Sequence, residues 1–273
     1  MRKIFTGALI FFAVTLLPLS ALAFDKLPEQ ISQVSNAQEA QELAKEISEM
    51  VEQRRATDPA YARKLARAEA IAAKAFAEKR LGDAALNIRG MDLENTEMTI
   101  QSSQSSVPWN LLWVGDVMHI NNKKFLNIYS MYYSHSGIYN GNNTVYESVE
   151  SGVRVLPISA WQQGQPVALG YTRNRSHSQV VAALNWAKNT YGTDGQTPYN
   201  WNYLNKTTDS ALYCSQLVWK MHQYMGVNVD SNHWSYSLYL TARYGAVGTA
   251  FAYYAVAPDE IYLSDEIVYF FAS

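Results

Sequence analysis

Of 273 residues only one, Cys214, is a cysteine, which rules out an internal disulfide and any disulfide-stapled scaffold. Metal chemistry has equally little to stand on. No HExxH occurs, and no cysteine and histidine cluster has ligand spacing. The G-x-S-x-G elbow of serine hydrolases is missing too. Charge is nearly balanced, with 22 Lys and Arg against 24 Asp and Glu, so there is no basic footprint for nucleic acid. No internal repeat is visible. After the first two dozen residues, no apolar run approaches the roughly 20 needed to cross a bilayer.

What the chain does have begins with MRKIFTGALIFFAVTLLPLSALAF. Arg2 and Lys3 precede an apolar stretch from Ile4 to about Leu19, and Ala21-Leu22-Ala23 offers small residues for cleavage. Residues 1–23 therefore read as a secretory signal peptide, leaving no integral membrane span after cleavage; an uncleaved transmembrane anchor is the alternative, but the run is a little short for it. No cysteine lies near the cleavage point, so a lipoprotein anchor is not expected. The expected location is periplasmic or secreted.

Composition divides the remainder. Residues 25–90 are rich in Ala, Glu, Lys and Arg, whereas 107–273 are rich in Tyr, Trp, Asn and Ser. In NAQEAQELAKEISEMVEQRR, Ala40, Leu43, Ile47 and Val51 recur at helical spacing. Asp58 then suits an N-cap and Pro59 the first position of a second helix, about 59–80, ending near Gly82. Residues 24–91 are expected to form a helical hairpin, 92–106 a polar linker and 107–273 the main domain. Covering that domain is the simplest use of the hairpin; a lid, a dimer contact or a partner site are the others.

In the main domain, Asn140-Gly141-Asn142-Asn143 separates two alternating stretches, a strong hairpin signal. Strands are expected over 132–139 and 144–149. A loop centred on Gly141 sets His135 opposite Glu147, on one face. A carboxylate facing a histidine fixes its tautomer and raises the basicity of its other nitrogen. A plain cross-strand ion pair is the alternative.

Cys214 sits in ALYCSQLVWK. Polar capping residues 207–210 precede it, and Leu217, Val218, Met221, Tyr224 and Met225 form a helical stripe closed by Gly226. The cysteine thus falls in the first turn of a helix or at its cap. Unpaired N–H groups and the helix dipole there stabilise a thiolate, and the same groups can receive an oxyanion. The competing reading is a buried thiol acting as a small hydrophobe. His222, two helical turns further on, is too far to serve Cys214 as a base. His119, His177 and His233 have no partner evident in the sequence.

Five pieces in order carry a family resemblance: Gly115-Asp116-Val117, Ser134 to Tyr139, Val145-Tyr146-Glu147, Tyr213 to Val218, and Pro258 to Ser264. Together they resemble the circularly permuted NlpC/P60 cysteine hydrolases of the YiiX/YaeF type, in which the histidine strand precedes the cysteine helix. The resemblance spans about 107–265 and leaves out the helical hairpin. It implies an α+β fold: a permuted papain-like core with an antiparallel sheet and a nucleophile helix. Cys214 matches the nucleophile, His135 the general base and Glu147 the orienting residue. Asp116 matches a structural turn, and Tyr213 either lines the acyl site or packs. Ser136 reads as an ordinary strand residue. The aromatic-rich stretch with Trp161, Tyr171, Trp186, Tyr199, Trp201 and Tyr203 either shapes a groove or fills the core.

No cofactor is implied. The first expected substrate is an amide in a peptidoglycan stem peptide; an acyl-lipid amide or ester, hydrolysed or transferred, is the second. A non-catalytic glycan- or lipid-binding module is the third reading. Charged groups near Cys214 would fit the peptide, and an apolar groove the lipid.

Overall fold

The computed structural model describes residues 26–85, 107–121 and 130–273. The expected signal peptide and linker fall outside the described residues.

The N-terminal region holds three helices: α1 (Leu27–Gln33), α2 (Ala37–Thr57) and α3 (Pro59–Ala85). The Asn36 side chain caps α2 by accepting from Glu39 N. Asp58 Oδ1 accepts from Ala60 N and Tyr61 N, each at 3.0 Å, so the Asp-Pro break caps α3 as its sequence predicts. Ala40, Leu43, Ile47 and Val51 are all buried. Two details differ from expectation. The short α1 precedes the hairpin, and α3 runs through Gly82 to Ala85. A glycine inside a helix costs about 1 kcal/mol, and tertiary bonds outweigh it here. Lys79 donates to Ile267 O at 2.7 Å and pairs with Asp83, whose Oδ2 also accepts from Tyr269 N.

The main domain is α+β. Six strands, β1 (Val117–Ile120), β2 (His135–Gly141), β3 (Thr144–Val149), β4 (Gly152–Pro157), β5 (Val167–Thr172) and β6 (Ile267–Ala272), form one antiparallel sheet in the order β4-β3-β2-β1-β5-β6. Between β5 and β6 come α4 (His177–Tyr191), α5 (Cys214–Tyr224), α6 (Trp234–Tyr244), α7 (Ala246–Tyr254) and α8 (Pro258–Tyr262). Helix α5 packs across β2 and β3, with α4 beside it. The helical hairpin docks through α3 onto α6 and β6, and Phe76 of α3 stacks on Tyr262 and meets Tyr132. It covers the domain, and one of the two apolar clusters runs through both.

The β2–β3 hairpin corrects the expected pairing. Ile138 pairs with Tyr146 and Tyr139 with Val145. Continuing that ladder puts Gly137, not His135, opposite Glu147. The turn is Asn142-Asn143, both with positive φ (51° and 55°), as a two-residue hairpin turn requires. An irregularity between Tyr139 and Gly141 absorbs the extra residue. The slip is of two residues, so His135 and Glu147 keep the same face and become diagonal neighbours. The strand also starts at His135 rather than at residue 132. The N–H groups of Met131, Tyr132 and Tyr133 go instead to the Asp259 carboxylate.

Candidate active site

Cys214 is the first residue of α5, 5% exposed, and Tyr213 is the N-cap with extended backbone. Four hydrogen bonds from one buried side chain build this helix start. Gln216 Oε1 accepts from Tyr213 N (3.2 Å) and from Asn200 Nδ2 (3.0 Å). Its Nε2 donates to Lys206 O (3.0 Å) and Thr208 O (2.9 Å). The residues flanking the cysteine clamp the backbone of one residue of the opposite wall. Tyr213 OH accepts from Val256 N at 2.9 Å, while Ser215 Oγ donates to Val256 O at 2.6 Å.

His135 and Glu147 are buried beside it. The imidazole Nε2–H donates to Glu147 Oε2 at 2.5 Å. The other ring nitrogen, Nδ1, is then the one left for the Cys214 sulfur, with which the ring shares a hydrogen bond. Trp161, from a 3-10 turn at Ile158–Gln163, donates its indole N–H to the same Glu147 oxygen at 3.2 Å and lays its ring 4.9 Å from the imidazole. Gly137 makes room for it, since a Cβ there would meet Trp161 at 2.7 Å.

The electrostatics follow from this packing. Burial pushes the His135 pKa down, but the Cys214 sulfur and the Glu147 carboxylate outweigh it and raise the ring to about 9. Burial alone would raise the Cys214 pKa. The nearby His135 ring, the Ser136 backbone N–H and the Ser215 hydroxyl bring it below its ordinary value. Both shifts favour a thiolate–imidazolium pair.

The remaining predicted positions sort clearly. Asp116 is structural, as expected: its carboxylate accepts from Trp113 N, and its carbonyl accepts from Tyr139 N. Tyr213 both packs and lines the cleft at Cys214. Ser136 does more than its place in a strand suggests. Its N–H faces the sulfur, and its hydroxyl bonds His119 Nδ1 at 2.8 Å. His119 also meets Tyr269 OH, and burial, with His135 and His222 nearby, pushes its pKa down to about 3. His222 bonds Thr172 Oγ1 and Val218 O inside the core. His177 rests edge-on against Trp113, and His233 bonds Ser235; neither lines the cleft at Cys214.

Among the aromatic residues, Tyr199 and Tyr203 line the cleft, whereas Trp186 stacks on Tyr224. Trp161 is the contact that sequence reasoning missed, because nothing in ISAWQQ shows which side chain its indole will reach. The cleft is narrow, with about 30 Å³ of free volume beside the thiol. Its walls are Ser130, Ser134, Tyr199, Tyr203, Tyr213, Ser215 and residues 255–258; no described residue lining it carries a charge. None comes from the helical hairpin. No group of three or more His, Cys, Asp or Glu among the described residues is arranged to hold a metal ion.

A thiol at a helix start, facing a histidine held by a carboxylate on an antiparallel sheet, defines a papain-like arrangement in permuted chain order. Residues 112–266, more than half the chain, match the family model described as permuted papain-like amidase enzyme, YaeF/YiiX, C92 family. The chain belongs to this family. No curated protein and no solved structure gives a significant match.

Proposed function

We propose that the protein is a cysteine hydrolase in which Cys214 attacks a carbonyl carbon, His135 moves the protons and Glu147 orients His135. The observation that carries this reading is the continuous line from Glu147 through His135 to Cys214. In the resting pair the thiolate already holds its charge, so attack needs no prior proton transfer. The carbonyl oxygen gains the negative charge, and the N–H groups of the first turn of α5, which have no intrahelical partner, stabilise it. His135 then protonates the departing amine or alcohol, leaving a thioester. Water adds next, giving up a proton to His135, and the thiol is released with the acid.

The cleft walls favour an acyl-lipid amide or ester over a stem peptide. Tyrosine rings, Val256 and Pro258 offer apolar surface, and no charged side chain among the described residues lines the cleft to meet the ionised ends of a peptide. The apolar N-terminal run adds the expectation that the enzyme works outside the cytoplasm. The test is hydrolysis of an N-acyl amide carrying a long chain, compared with a stem-peptide amide and with Cys214→Ala. Thiol-dependent release of the fatty acid supports the reading. Cleavage of the peptide alone would return the substrate to the cell wall, and no cleavage of either would favour a binding module.

Trp161→Phe is expected to lower turnover about tenfold with KM unchanged. It keeps a ring over His135 but removes one hydrogen bond to a charged acceptor, worth about 1.5 kcal/mol. Steady-state kinetics of the variant checks this.

A further inference from the structure

A second feature lies away from the cleft, where α3 crosses α6. Tyr61 OH donates to Arg243 O at 2.7 Å, which sets the start of α3 beside the end of α6. Between the two helices runs an open groove of about 460 Å³. Its floor is apolar, made by Ala68, Ile71, Leu238 and Ala242, and its rim is Arg63, Lys64 and Arg67. The three cations are exposed, and no carboxylate among the described residues pairs with them. The acids nearest in sequence are engaged elsewhere: Asp58 caps α3, and Glu69 holds Arg55 at 3.2 Å. In a chain of net charge −2, this is a local concentration of unneutralised positive charge. One turn before Leu238 on the same stripe of α6 stands Trp234, 66% exposed.

We propose that this groove docks the protein on a bilayer surface by holding an anionic phospholipid. The phosphate sits among Arg63, Lys64 and Arg67, the first methylenes lie on the apolar floor, and Trp234 enters the interface. Charge complementarity selects the occupant. A free phosphate would use the cations but leave the floor bare, and a neutral amphiphile would leave three cations unmatched. Tryptophan at the headgroup level and basic residues at an anionic surface are the ordinary means of such attachment. Each cation near an anionic leaflet contributes about 1 kcal/mol, so three together amount to roughly a hundredfold in partitioning.

The experiment compares the full chain with Arg63→Gln/Lys64→Gln/Arg67→Gln by sedimentation with vesicles. One set contains phosphatidylglycerol in phosphatidylcholine, the other phosphatidylcholine alone. The apolar N-terminal run is common to both proteins, so its binding cancels. All three positions are exposed, and circular dichroism checks that the variant is folded. The wild type is expected to bind phosphatidylglycerol vesicles about a hundredfold more strongly than the variant, an advantage that shrinks as salt rises. On phosphatidylcholine the two proteins should be equal. Trp234→Ala should weaken binding to phosphatidylglycerol without changing its salt dependence. Equal binding of wild type and triple variant would overturn the proposal. So would full competition by millimolar glycerol phosphate, which would make the ligand a free phosphate. Retention on dextran sulfate with no retention on vesicles would make it a general polyanion site, and would overturn the proposal too.

Discussion

Alkylation of Cys214 by iodoacetamide is expected to be fast and nearly flat across neutral pH, and to become slow in His135→Ala. The reason is the balance of effects on the thiol. Burial raises its pKa, and the His135 imidazolium and its hydrogen bond bring it below the ordinary value. With the ring removed, burial has less to oppose it. A thiol at the roughly 8.5 of a free cysteine is only about 3% thiolate at pH 7. The variant should therefore react about thirtyfold more slowly at neutral pH and speed up only towards pH 9 and beyond. Hydrolysis separates the two groups further. The His135 pKa lies at about 9, so above that pH the ring loses the proton it must give to the leaving group. Turnover should fall there, while alkylation, which needs only the thiolate, should stay high. Loss of turnover in Cys214→Ala or His135→Ala should be on the order of a thousandfold or more. A wild-type thiol that reacts slowly at pH 7 and is indifferent to His135 would sink the assignment and leave Cys214 as a core residue.

The second large effect is structural. Asp259→Asn should lower stability by about 3 kcal/mol and Tm by roughly 6–12 °C. The Asp259 carboxylate, fully buried, accepts from the backbone N–H groups of Met131, Tyr132 and Tyr133; the bonds to Met131 and Tyr133 are 2.5 and 2.9 Å long. Asparagine offers one acceptor oxygen and turns an NH₂ group towards donors, leaving at least one buried N–H unmatched. The damage should reach the site as well, because the pinned segment leads directly into His135 and its neighbours Ser130 and Ser134 line the cleft. Thermal unfolding and Cys214 alkylation, measured on the same preparation, test both halves. A variant within 2 °C of the wild type, with normal thiol reactivity, would show that the three N–H groups find other partners.

What the sequence made legible depended on how local each signal was. Asp58-Pro59 announces a helix start because the cap and its donors lie within three residues. Cys214 at the head of α5 was readable for the same reason: the stripe from Leu217 to Met225 fixes the helix, and the helix fixes the thiol. The pairing of His135 with Glu147 was found through the wrong register. Nothing in Asn140-Gly141-Asn142-Asn143 distinguishes a loop centred on Gly141 from a turn at Asn142-Asn143. The expectation survived because an even slip preserves the face. Contacts spanning the chain left no trace. Asp259 reaches back 128 residues to Met131, and Asp83 reaches forward 186 to Tyr269. The latter is also why α3 continues past Gly82, where a local rule would end it.

The chain order has a consequence for when the protein becomes reactive. His135 and Glu147 are 12 residues apart on one hairpin, and such short-range pairs can form early and quickly as a chain folds. The thiol arrives 67 residues after Glu147, and its helix start is fixed by Asn200, Lys206, Thr208 and the backbone of Val256. An incomplete or still unfolded chain therefore carries an ordinary, weakly nucleophilic thiol. Reactivity is a property of the finished fold alone, which protects a lone cysteine from side reactions during its own biogenesis.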